Sequence, residues 1–131
     1  MFGELLAKVY EEYAFPDGLR LATDAYAVQH PGTPSRKSIQ SVAVHLISLH
    51  HQLERGSSAG NATFAMGRVA AHSERFKWLE PPSSMGAVTV VDVYAAQDAT
   101  EHQRLVQAWA EATWVAWSAH HAVIRHWANS L

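Results

Sequence analysis

The segment DAYAVQHPGTPSRKSIQSVAVHLISLHHQLERG, residues 24–56, carries the plainest structural pattern in the sequence. In its second half, Ile39, Val42, Leu46, Leu49 and Leu53 recur at alternating steps of three and four. That spacing places all five on one stripe of an α-helix. Pro34 cannot continue a helix from upstream, and Ser35 after it is a residue that caps one. Gly56 supplies the stop, with the cation of Arg55 in the last turn, where the helix dipole favours it. A fully buried aliphatic residue contributes about 1.5–3 kcal/mol, so five on one stripe make this helix part of the core.

His45 interrupts the pattern at the edge of the stripe, beside Leu46 and one turn from Val42 and Leu49. An imidazole in such a place needs a hydrogen-bond partner or a metal. His50 falls on the opposite edge, and His51 points further toward solvent. Upstream, TDAYAVQ reads as a second helix that ends at His30-Pro31-Gly32, with Tyr26 able to turn its ring to the core. The residue before a proline is pushed out of helical geometry, so His30 sits extended at a helix end and faces whatever cleft opens there.

Composition narrows the function classes. A protein of 131 residues with 48% hydrophobic residues is of a size to fold as one domain around one core, over residues 1–131. A net charge of −2 offers no basic face for nucleic acid. Cysteine is absent, which excludes disulfides, thiolate metal sites and cysteine nucleophiles. The opening residues MFGELLAKVYEEYAF lack the basic region and apolar run of a secretory signal, and no stretch has the length of a membrane span. The expectation is a soluble cytoplasmic protein without nucleic-acid or membrane partners. Nine histidines make the net charge change sign near pH 6.5, where solubility should be poor.

Working outward, residues 2–14 show helical spacing of Phe2, Leu5, Leu6, Val9, Tyr10 and Tyr13. A turn at Pro16-Asp17-Gly18 then leads to a helix over 19–29. After the central helix, Asn61 is a candidate cap for a helix over 62–73. Residues 75–85, RFKWLEPPSSM, form an irregular crossing anchored by Phe76, Trp78 and Leu79. The β-branched run after Gly86 resembles a strand. Thr89 followed by Asp92 instead matches a capping box, and no second strand exists to pair with it, so a short helix over 90–96 is expected. The last segment reads as one helix over 100–129. One stripe holds Leu105, Trp109, Ala112, Ala116, His120, Val123 and Trp127, and an adjacent one holds Trp114, Trp117, His121, Ile124 and Ala128. The fold class is an all-α bundle of five or six helices.

Histidines on facing helices can build a site for zinc, nickel, iron or manganese. The most economical set takes His45 from the central helix, His30 from the turn before it, and His120 or His121 from the last helix. His121 is preferred because it faces the Trp-rich stripe. Asp24 is a fourth ligand or the acceptor that fixes a ring tautomer. Neither HExxH nor an i, i+4 histidine pair is present. Ser41 lies one turn before His45, and a nucleophilic pair there needs a third group that the sequence does not place. Two readings follow. The first is a divalent-metal-binding bundle with His30, His45, His121 and Asp24, at most a metal-dependent hydrolase or transferase with a small-molecule ligand. The second is a non-catalytic interaction module, or a homodimer, acting through apolar and Trp-rich faces.

DAYAVQHPG, SIQSVAVHLISLHHQLERG, WLEPP, GAVTVVDV and AWAEATWVAWSAHHAVIRHW together resemble an uncharacterised bacterial family of small helical proteins. The resemblance covers most of the sequence and implies a compact all-α domain without an assigned activity. Some members of that family carry a cysteine pair before the first helix that resembles a small zinc knuckle, and this sequence has no cysteine. A looser similarity is to the DinB-like bundles, which hold a metal with one early-helix histidine and two late-helix histidines at i, i+4. Here residue 125, four after His121, is Arg125.

Overall fold

A computed structural model describes residues 16–130, and the helix expected over 2–14 lies outside the described residues. Those residues form an all-α bundle, with no strand among them. Six α-helices follow in order: α1 Pro16–Gln29, α2 Arg36–Leu53, α3 Ala59–Ala70, α4 Val90–Tyr94, α5 Ala99–Ala116 and α6 His121–Asn129.

Local chemistry sets most of the boundaries. Pro16 opens α1, where a missing N–H costs nothing. Ser35 caps α2: its Oγ accepts from Ser38 N–H at 3.0 Å, and the Ser38 hydroxyl accepts from Ser35 N–H at 2.9 Å. This is a capping box with serine where glutamate is usual. Gly56, at φ +67°, turns the backbone after α2. α3 begins three residues earlier than expected, because Ser58 takes the capping role assigned to Asn61 and accepts from the Asn61 N–H at 3.2 Å. It also ends earlier, giving way to a short 3₁₀ turn, Ser73–Arg75. α4 carries the expected capping box, with Thr89 N–H donating to Asp92 Oδ2 at 2.8 Å. Asp98 caps α5, accepting from Glu101 N–H at 2.8 Å.

The single long helix expected over 100–129 is two helices. The first breaks at Trp117, and a 3₁₀ turn, Ser118–His120, leads into α6. Trp117 N–H reaches the Trp114 carbonyl at 3.1 Å, and the His121 ring donates Nε2–H to that same oxygen at 2.8 Å. An imidazole thus supplies a donor to the carbonyl at the end of α5 and caps that helix. The ring also stacks on Trp114, with centroids 3.8 Å apart. The adjacent His120 donates Nε2–H to the Glu80 carbonyl at 2.8 Å and ties down the crossing segment.

The bend lets the C-terminal segment serve two cores. α5 packs on α1 and α4 around Ala22, Ala25, Val90, Val93, Val106 and Trp109. α6 packs instead on α2 and α3, where Ile124 and Trp127 join Val42, Leu46, Ile47 and Leu49. α2 is buried on more than its expected stripe. Ala43, Val44, Ile47, Ser48 and His50 are enclosed as well, as befits a helix surrounded by neighbours. Trp109, Trp114, Trp117 and Trp127 are all buried, so the Trp-rich stripes are interior surfaces.

The crossing is held by Gln29. Its amide nitrogen donates to the Met85 carbonyl at 2.9 Å and the Val88 carbonyl at 2.8 Å, while its oxygen accepts from Trp109 Nε1–H at 2.8 Å. Between those carbonyls Gly86, at φ +98°, lies against α5, where a Cβ would come within 3.1 Å of the Ala112 carbonyl oxygen. No other residue fits there without displacing backbone.

Candidate functional site

A polar stripe on α2 meets α1. His45, Ser48 and Gln52 follow at steps of three and four, so they share one face of the helix. That face is turned to Asp24, whose carboxylate is fully buried on α1. Asp24 Oδ1 accepts from Arg20 Nη2 and His45 Nδ1, each at 2.8 Å. Asp24 Oδ2 accepts from Ser48 Oγ at 2.5 Å and Gln52 Nε2 at 2.9 Å. Arg20 Nη2 and His45 Nδ1 also lie 3.4 Å apart, but both donate to Oδ1, so no bond joins them. Four donors on one carboxylate meet the cost of burying its charge.

The carboxylate also decides the chemistry of His45. Because the Asp24 carboxylate accepts, Nδ1 is the nitrogen that donates, and the tautomer so selected leaves the lone pair on Nε2. The His45 side chain remains 17% exposed. An imidazole held this way can take a proton or ligate a metal at Nε2. Asp24 also stands where a Ser41–His45 pair would need its third group. Among the described residues, however, no hydrogen bond joins Ser41 to His45.

The other two candidate ligands are elsewhere. His30 is exposed at the end of α1, donating Nδ1–H to the Tyr26 carbonyl at 2.9 Å and stacking on the Tyr26 ring. Six residues separate it from Asp24, about 9 Å along the helix axis. His121 caps α5, as described. Asp24 and His45 are therefore brought together, and His30 and His121 do not join them. Among the described residues no group of three or more His, Asp or Glu side chains is placed to hold a metal ion.

A second polar knot lies at the end of α2. Arg125 on α6 forks onto Glu54, with Nε to Oε1 at 2.9 Å and Nη2 to Oε2 at 2.5 Å. Glu54 Oε1 also accepts from Nδ1 of the buried His50 at 2.7 Å. The Arg125 guanidinium, with help from His50, holds the Glu54 carboxyl down at about 2. Burial pushes the His50 ring below its ordinary value, against the pull of Glu54. His51 is lowered by burial and by the neighbouring charges of Arg55 and His50, and His102 by burial.

Arg20, Gln29, Ser48, Gln52 and the Glu54–Arg125 pair did not stand out as site residues in the sequence. Two signals were present: the i, i+4 spacing of Arg20 and Asp24, and a polar stripe of His45, Ser48 and Gln52 on an otherwise apolar helix.

The sequence profile of a family of unknown function, DUF5946, matches residues 1–118. The protein belongs to DUF5946. The matched region includes α1 through α5 and both members of the Asp24–His45 pair, whereas α6 and Arg125 follow it. No curated protein and no solved structure matches the sequence. Within this DUF5946 member, no helix of the described residues is long and apolar enough to cross a membrane.

Proposed function

We propose that this DUF5946 protein is a binding protein that works through His45, offering Nε2 of that ring to a divalent cation with Asp24 behind it. The observation that carries the reading is the 2.8 Å bond from His45 Nδ1 to a buried carboxylate that three further donors hold in place. A carboxylate behind the ring raises the basicity of the ligand nitrogen and fixes its orientation. Arg20 already neutralises Asp24, so the site has no net negative charge to attract a hard cation. Imidazole-seeking ions such as zinc or nickel suit it better than calcium or magnesium. The remaining coordination positions fall to water or to a molecule carried with the metal, since no third His, Asp or Glu among the described residues completes the set.

The test is a titration of metal-free protein with Zn²⁺ or Ni²⁺, following the histidine ring nitrogens by NMR. The expected result is a saturable change at His45 Nε2, abolished in His45→Ala and weakened about 10–100-fold in Asp24→Asn. A His45 ring that does not respond, or a His45→Ala variant that binds metal as well as the parent, overturns the proposal.

A further inference from the structure

Away from His45, the ends of α2 and α6 meet the side of α3 around a small cleft of about 210 Å³. Its polar lining is His51 and Arg55 from the α2 end, Arg68 from α3 and Asn129 from α6, with Ala65 and Ala128 between them. Among the described residues no acidic side chain lines it. Glu54, the residue that follows α2 and precedes Arg55, is engaged by Arg125 and His50. Among the described residues Arg68 has no ion-pair partner, and Arg55 donates only to the neutral amide oxygen of Asn129. With that oxygen occupied, the Asn129 amide nitrogen is left as a donor. Two arginines, an asparagine and a histidine therefore border one cleft without an acidic residue among its lining.

Cations near helix C-termini often do no more than answer the dipole. That accounts for Arg55, just past the end of α2, and for Arg68, in the last turn of α3. It does not account for both lining the same cleft with a histidine and no acid. Like charges brought together repel unless an anion joins them. The donors come from three different walls, an arrangement that suits a tetrahedral oxyanion better than a planar carboxylate, which one guanidinium fork can satisfy alone.

We infer that this cleft binds a phosphate group, either inorganic phosphate or the terminal phosphate of a small monoester, with Arg55 and Arg68 as its principal ligands. The site is separate from the His45 reading and stands or falls without it.

The experiment is an amide NMR titration of the full-length protein, freed of metal, with inorganic phosphate and, separately, with phenyl phosphate and acetate at matched ionic strength. Saturable shifts centred on residues 51, 55, 68 and 129 are expected with one or both phosphates, and weaker ones with acetate. Inorganic phosphate binding more tightly than phenyl phosphate assigns the free ion; the reverse order assigns a monoester. Arg68→Gln, an exposed position whose change should leave the fold intact, is expected to weaken binding at least tenfold. Arg55→Lys should weaken it less than Arg55→Gln, and Arg104→Gln on the far exposed face of α5 should not matter. His45→Ala should bind phosphate like the parent, which keeps this result distinct from the metal test. Shifts that do not saturate, that spread over the whole surface, or that persist unchanged in Arg68→Gln overturn the inference.

Discussion

Asp24 shows how much a single residue organises. It is fully buried, and each of its oxygens accepts two hydrogen bonds; of the four donors, one comes from its own helix and three from α2. Removing it strands donors that were arranged around a charge, Arg20 and Ser48 above all. Losing one partner of a buried, charge-assisted network costs about 3 kcal/mol or more, well beyond an ordinary hydrogen bond. Asp24→Ala is therefore expected to lower the unfolding free energy by about that amount in urea denaturation. A loss under about 1 kcal/mol would mean that water or rearrangement satisfies these donors and that the network is not the clamp between α1 and α2. At this scale the sequence was only half legible. Asp24 and His45 could be named as partners, but His30 could not be excluded from their company. A histidine before a proline at a helix end reads the same whether it faces a cleft or, as here, bonds to the carbonyl four residues back.

Among the elements, the break between α5 and α6 is the feature that sequence periodicity missed. Apolar residues continue at helical spacing through 105–128, so nothing in the pattern marks Trp117 as an end. Neither glycine nor proline stands there. The stop is made by the ring of His121, which bonds to a carbonyl seven residues back while stacking on the indole of Trp114. Replacing it with alanine removes the cap and the stacking together. His121→Ala should cost about 1–2 kcal/mol, read from the thermal midpoint or from urea denaturation. It should also extend helical amide protection across residues 117–120 in hydrogen exchange. Unchanged stability with unchanged exchange at those amides would show that packing of α6 alone sets the bend. By contrast, the caps at Ser35 and Thr89 were visible beforehand, because a capping box is read within four residues.

For the molecule as a whole, burial of histidines links stability to pH. His50, His51 and His102 are all held below the ordinary histidine value of 6.5, chiefly by burial. In the unfolded state they protonate as the pH falls through that value, while the folded state declines the proton until lower pH. The unfolded state then binds more protons, so stability falls as pH drops below 6.5. Glu54 acts in a lower window. Its folded value of about 2 lies beneath the ordinary 4.5, so its contribution is complete above 4.5 and disappears as the pH falls through about 2. The expected outcome is a urea midpoint that changes little near pH 7.5 and declines as the pH is lowered through 6.5 to 5.5. It should decline less steeply when His102 is replaced by an uncharged residue of similar volume. A midpoint that is flat or rises over that interval would contradict the burial of these rings.

The helical class, the central position of the segment after Pro34, and the capped starts of α2 and α4 can be read from residue order alone. Each depends on side chains and backbone within about one turn of one another, and such short-range geometry is carried in residue spacing. Which polar groups meet is settled by how the helices pack. Asp24 finds His45 across 21 residues, Gln29 finds Trp109 across 80, and Glu54 finds Arg125 across 71. A buried polar group must be paired, and a sequence states that requirement without naming the partner, because the partner depends on which helices the packing of α2 brings alongside.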